Sequence, residues 1–296
     1  MKRWALLATW IVLLTMITQP INALELEDLI SRYTSETNGE GYLQPLADAF
    51  GANLNSGLFQ TAKIHQLGLN IKFGAVGMLA PIGEDRKTFS ASTEWDSGEQ
   101  QTIEAPTVFG ETSTASATRS DSTEYEFPAG LGVDRFPLVV PQLTVGSIRG
   151  TEATLRYFQM TVGKGVGDVK LFGFGVRHSI SQYLKKPPLD LAASFFFQTF
   201  DVGDIVSAKT TYFGLQGSVE RGPLTIYGGP ALETSSLDIS YTSDTNTAVD
   251  FNMDGSNSFR FTIGAALNIL ILRANIDYNI ASQSTFSFGL GLGSVL

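Results

Sequence analysis

Along much of this sequence an apolar alternation leaves one phase free, and charged and amide side chains occupy it. Lys72, Arg156, Arg177, Asp190, Arg260, Arg273 and Asp277, together with Asn268 and Asn275, stand opposite in phase to runs of Leu, Ile and Phe. A cation on a hydrocarbon-facing surface costs about 2–4 kcal/mol at mid-depth of a bilayer, so these residues must face an enclosed interior. There they either satisfy one another as a structural network or line a path for polar solutes. An interior of about ten strands is narrow and filled by side chains, which favours the network.

Three further groupings have residue types that could do chemistry. Asp250, Asn252 and Asp254, followed by Gly255, have the alternating oxygen ligands and sharp-turn glycine that open a calcium loop. The twelfth position, where a bidentate Glu belongs, is Phe261, so an acidic outer loop is the alternative. His178 precedes Ser179 and Ser181, the residue types of a hydrolase site. His178 shares its phase with Phe172, Phe174 and Val176, however, and so points outward while both serines point inward. The other histidine, His65, is too distant in sequence to set a metal-ligand spacing. Gly163-Lys164-Gly165-Val166-Gly167 lacks the helix and trailing Lys-Ser/Thr of a phosphate cradle and reads as a turn. The chain has no Cys, which excludes thiolate zinc sites, disulfides and an N-terminal lipid anchor. No cofactor and no catalytic residue is expected.

The elements that position these residues are strands. Phe259, Phe261, Ile263, Ala265, Leu267 and Ile269 alternate with Arg260, Thr262, Gly264, Ala266 and Asn268. Leu270 to Ile280 and Phe286 to Leu292 repeat the pattern, as do Leu67 to Ala75, Leu189 to Phe197 and Phe213 to Val219. Period two held over about ten residues is what one lipid face and one lumen face require. Ten strands follow, at 67–82, 139–149, 151–163, 168–182, 188–201, 206–219, 223–241, 257–269, 270–281 and 283–295. Further strands within 53–62 or 86–105 would raise the number to 12 or 14. Residues 83–138, rich in Ser, Thr and Glu, read as a long irregular outer loop. The fold class is therefore all-β, a transmembrane antiparallel up-and-down barrel of about 10–14 strands with a short N-terminal helical or plug segment. A β-sandwich alternates too; strand length, the N-terminus and the apolar last strand favour the barrel.

Lys2 and Arg3, the apolar run Trp4 to Ile17 and the small Ala23 have the layout of a secretory signal peptide over 1–23. Its removal takes the net charge from −9 to −11, a poor partner for nucleic acid. Residues 24–66 then form a periplasmic or plug segment, with helical patterns at Leu24–Tyr33 and Leu43–Phe50, and 67–296 form the barrel. Beyond residue 23 the sole tryptophan is Trp95, so an aromatic girdle must draw on Tyr183, Tyr227, Tyr241, Tyr278 and the many Phe.

Several fragments occur in an order that resembles an uncharacterised Gram-negative outer-membrane barrel family. They are Tyr42 with Pro45, Gly51 to Gly57, Thr61-Ala62-Lys63, Pro106 to Gly110, Pro141-Gln142-Leu143, Gly150-Thr151-Glu152, Gly173 to His178 with Gln182-Tyr183-Leu184, and Tyr227-Gly228-Gly229. The resemblance implies the fold and an outer-membrane location, and no activity. A fainter likeness is to long-chain fatty-acid transport barrels, which also place an N-terminal segment inside. The expected partners are outer-membrane lipid, the barrel-assembly machinery and a small solute, hydrophobic ones included. The expected role is porin-like passive transport or binding of that solute; the alternatives are a structural or surface-interaction barrel and, least favoured, a lipid hydrolase.

Overall fold

Alternation along each strand sorts the side chains into two environments, and the strands close on themselves so that both persist all the way round. A computed structural model describes residues 36–95, 100–162, 167–185, 187–242 and 248–295. The expected signal peptide, the helical pattern at 24–33 and residues 163–166 of the glycine turn lie outside the described residues. The strands are β1 (Leu67–Pro81), β2 (Thr88–Ser92), β3 (Thr102–Pro106), β4 (Ala115–Thr118), β5 (Glu124–Phe127), β6 (Arg135–Ile148), β7 (Thr151–Val162) and β8 (Gly167–Ser179). There follow β9 (Asp190–Val202), β10 (Val206–Arg221), β11 (Leu224–Thr242), β12 (Ala248–Asp254), β13 (Phe259–Ile269), β14 (Leu272–Ile280) and β15 (Thr285–Val295). One helix, α1, spans Glu36–Leu54.

Ten strands make the barrel, in the order β1-β6-β7-β8-β9-β10-β11-β13-β14-β15 and back to β1. The closing seam runs from Asn70 opposite Val295 to Leu79 opposite Phe286. The alternation sets which face meets which solvent: Ile263 is 54% exposed while the adjoining Thr262 is 3%. Phe73, Phe174, Phe195, Phe213 and Phe288 continue the outward apolar surface around the wall. Such a continuous belt suits hydrocarbon, and a closed ladder leaves no edge for the hydrocarbon to desolvate.

Two sequence expectations are corrected outside the wall. Residues 83–138 are not irregular. They hold two hairpins, β2 with β3 and β4 with β5, whose strands of four or five residues are too short for their alternation to stand out. These pairs stay out of the barrel, and residues 53–62 form no strand, so the wall keeps ten. Residues 248–254 are β12, paired with the distal part of β11. Asp250, Asn252 and Asp254 therefore point to one exposed side of a strand while Phe251 and Met253 are buried on the other. An extended ribbon cannot wrap its side chains round one cation as a loop does, and among the described residues no three acids or histidines are grouped to hold a metal.

α1 absorbs the second helical pattern and extends well before it. Gly39, Gly41 and Pro45 give it poor intrinsic propensity, so packing must hold it. From Tyr42 to Leu54 nearly every residue is buried, whichever way it points, as expected for a helix enclosed on all sides. The space is tight: a Cβ at Gly39 would lie 2.1 Å from the Phe251 ring, and one at Gly41 2.4 Å from the Phe89 ring. Within the long-loop half of the lumen α1 packs with Val76, Met78, Val140, Leu171, Phe200 and Leu237 of the wall. Phe109 and Phe127 of the excursion close the same core. The excursion is tied to the helix by an ion pair between Arg86 and Asp48, by the Val108 amide donating to Tyr42 O (3.0 Å), and by Tyr42 Oη donating to Ala129 O (3.0 Å).

Candidate functional site

Below this core the lumen turns polar, and the change begins at the C-terminus of α1. A helix end leaves carbonyls without intrahelical partners, and buried ones must be met from elsewhere. Two arginines from different parts of the wall meet them here. Arg156 of β7 donates from Nη1 to Leu54 O (2.9 Å) and from Nη2 to Ser56 O (2.8 Å) and Gly57 O (3.0 Å). Its remaining donors reach Gln142 Oε1 (2.8 Å) and Gln198 Oε1 (3.1 Å). Arg260 of β13 donates to Ala52 O (2.8 Å), Asn55 O (3.1 Å) and Ser56 Oγ (2.6 Å). Glu233 neutralises it, accepting from Nη2 at 3.0 Å and lying 2.9 Å from Nε in an ion pair without hydrogen-bond geometry. Both cations sit at the negative end of the helix dipole, where positive charge is favoured.

A third arginine holds the chain that follows. Arg177 of β8 is buried; Nη1 donates to Glu152 Oε1 (2.6 Å), Nε to Gln216 Oε1 (3.0 Å), and Nη2 to Thr61 O. Its guanidinium also stands 5.8 Å from the centre of the Phe59 ring. Further toward the short turns, Lys63 pairs with Glu220 (2.8 Å), a hydrogen bond that raises the lysine above its ordinary value.

The other sequence candidates divide among three places. Lys72 and Arg273 line one cavity with Arg177. Asn275 and Asp277 belong to a second network: Asp277 accepts from Tyr227 Oη (2.9 Å), Ser287 Oγ (2.6 Å) and Asn279 Nδ2 (2.8 Å), and Asn275 donates to Tyr227 Oη (3.0 Å). Asp190 begins β9 at the rim near Lys63 and Glu220, and Asn268 donates to Thr225 Oγ1 (3.4 Å); neither joins the arginines. Sequence reasoning missed Glu152, Glu233, Gln142, Gln198 and Gln216, whose inward phase was the available signal. Tyr227 is corrected: it lies inside, because its neighbours Leu224 and Ile226 take the lipid phase. Tyr183 is exposed at the rim, and Tyr278 packs against Phe286 at 4.6 Å.

His178 takes part in none of this. Its Nδ1 lies 2.8 Å from Thr151 Oγ1, and its Nε2 lies 2.9 Å from both Tyr183 Oη and Gln182 Nε2. Ser179 is buried on the opposite face, and Ser181 bonds the Leu191 backbone. Among the described residues no carboxylate hydrogen-bonds the ring, and neither Ser179 nor Ser181 does.

The cavity between Leu58, Gln60, Lys72, Glu152, Arg177 and Arg273 measures about 40 Å³, space for a few waters or one small ion.

Among solved structures, the outer membrane protease OmpT from Escherichia coli is 8% identical, with 79% of this chain and 98% of that chain covered and a TM-score of 0.35. The outer membrane protein OmpT of Vibrio cholerae is 13% identical over 77% and 100%, TM-score 0.28. A Pseudomonas aeruginosa FadL homologue is 9% identical over 83% and 96%, TM-score 0.23. No curated protein matches the chain. One family profile matches residues 1–294, nearly the whole length, and by that match the chain belongs to the family of unknown function DUF6588.

Proposed function

We infer that this protein is a non-enzymatic outer-membrane barrel, closed to passive diffusion, that works through the surface its long-loop end presents. The observation that supports this reading is the filled lumen. α1 and the excursion occupy the long-loop half as a packed core, Leu58 and Phe59 of the following segment pack on Phe196, Tyr212 and Tyr227 of the wall, and the cavity beside Lys72 measures about 40 Å³. A diffusion pore needs continuous water; this interior is occupied by the packed side chains of α1, the excursion, Leu58 and Phe59. The two hairpins, locked to α1 by Arg86 and Tyr42, then form a rigid platform at the mouth. In the orientation where short turns face the periplasm, that platform faces outward.

Single-channel recording on the purified full chain in planar bilayers tests the reading. The expected result is a silent bilayer with insertion verified independently. Steady porin-like conductance would overturn it. A gated-passage reading rests on a different observation: beside the packing of Leu58 and Phe59, residues 52–61 meet the wall through hydrogen bonds, which water can replace. Arg156→Met with Arg260→Met should then produce intermittent openings that the parent lacks.

A further inference from the structure

The charges around the remaining cavity do not cancel. Lys72, Arg177 and Arg273 face it with one carboxylate, Glu152, between them. Glu152 is taken by Arg177 at 2.6 Å and stands 3.7 Å from Lys72. Arg273 makes no hydrogen bond or ion pair among the described residues, and its Nε is buried. Three cations against one anion leave an excess of two positive charges at this cavity, with Lys72 and Arg273 only partly exposed.

The arrangement is built by the strand order. Lys72 comes from β1 and Arg273 from β14, the two neighbours of β15. The inward residue of β15 between them is Gly293, directly opposite Lys72 in register. A Cβ at Gly293 would stand 3.1 Å from Lys72 Cγ and 3.2 Å from Arg273 Nε, so both side chains lie against bare backbone. The glycine thus lets two like charges converge on one space. Gln60, Gln142 and Thr144 add neutral polar groups to its lining.

We propose that Lys72 and Arg273, backed by Arg177, form a binding site for a small oxyanion, either inorganic phosphate or sulfate or the carboxylate of a small organic acid. A guanidinium with free donors beside an ammonium is the pairing that recognises two oxygens of one anion. The cavity's size sets the limit: an ion of a few heavy atoms fits, and a larger acid would have to displace Leu58 to Gln60. The site goes beyond the closed-barrel reading, since a silent barrel and a conducting one could each hold the ion.

Calorimetric titration of the purified full chain in detergent, in phosphate-free buffer at constant ionic strength, tests the site with sodium phosphate, sodium sulfate and sodium acetate as probes. At least one probe should give saturable binding, and the one that does separates the mineral from the organic source. Arg273→Gln and Gly293→Val should each weaken it about tenfold or more. Strand circular dichroism and heat-modifiable gel mobility verify folding, and Lys72→Gln replaces any variant that fails that check. Absence of saturable binding for all three probes up to about 10 mM, a range that reaches millimolar affinity, would overturn the proposal. Equal binding by the parent and the folded variants would overturn it as well.

Discussion

Arg156→Met is the sharpest perturbation of the lumen, because it keeps bulk and removes five hydrogen bonds at once. Leu54 O keeps a donor, Gln198 Nε2 at 2.6 Å. Ser56 O and Gly57 O accept from no other group among the described residues. Each stranded buried acceptor costs about 1–3 kcal/mol. Relief from burying a guanidinium returns part of that. A net loss of about 2–5 kcal/mol in seating residues 50–60 follows, which is roughly 30- to 4,000-fold in the open population. Hydrogen–deuterium exchange in detergent reads it directly: amides of 50–60 should lose protection by that factor while β13 and β14 keep theirs. Unchanged protection of 50–60 in a variant that retains heat-modifiable mobility would refute the clamp.

Two other perturbations address the wall and the platform. Ile263→Arg, at the middle of β13 and facing out, should cost about 2–4 kcal/mol in a lipid refolding titration; no cost would mean that face meets water. On the platform, Arg119 lies 5.4 Å from the centre of the Trp95 ring and is held by Asp121, whose carboxyl that guanidinium keeps below its ordinary 3.8. Lys87 likewise holds Asp134 below 3.8 and is itself raised above 10.5. Depressed carboxyls contribute fully above their ordinary range and lose that contribution as pH falls through the lowered values; the raised lysine's contribution is complete below 10.5 and fades above. In a chain beginning at Leu24, Trp95 fluorescence should therefore be flat from about pH 5 to 9 and change only below about pH 4. A transition near neutrality would count against this account.

The wall was legible because two solvents write opposite demands on alternate residues. Each of the ten expected strand ranges begins and ends within about four residues of the observed strand, and Phe259 to Ile269 shows why: hydrocarbon and lumen leave no third choice. Inward phase was equally plain for Lys72, Arg260 and Arg273. Partners were not. Arg156 meets Leu54 across 102 positions, and phase alone gives the side a residue faces, never what waits there. α1 was half hidden because Gly39, Gly41 and Pro45 serve the fit inside the barrel and spoil the local helical signal. Within 83–138, strands at 86–105 read as further barrel staves rather than as a separate hairpin, and β4 with β5 was hidden by brevity; the apparent calcium ligands were hidden by the coincidence that a strand also alternates.

The seam between β1 and β15 joins the barrel's first strand to its last, so the enclosure becomes complete only when β15 arrives. α1 lies ahead of β1, a dozen residues upstream, and is therefore already tethered beside the first stave while the others assemble. Chain order alone thus delivers the cargo before the hull is shut. The interior can be wrapped around its occupant, with no need to thread a finished cylinder.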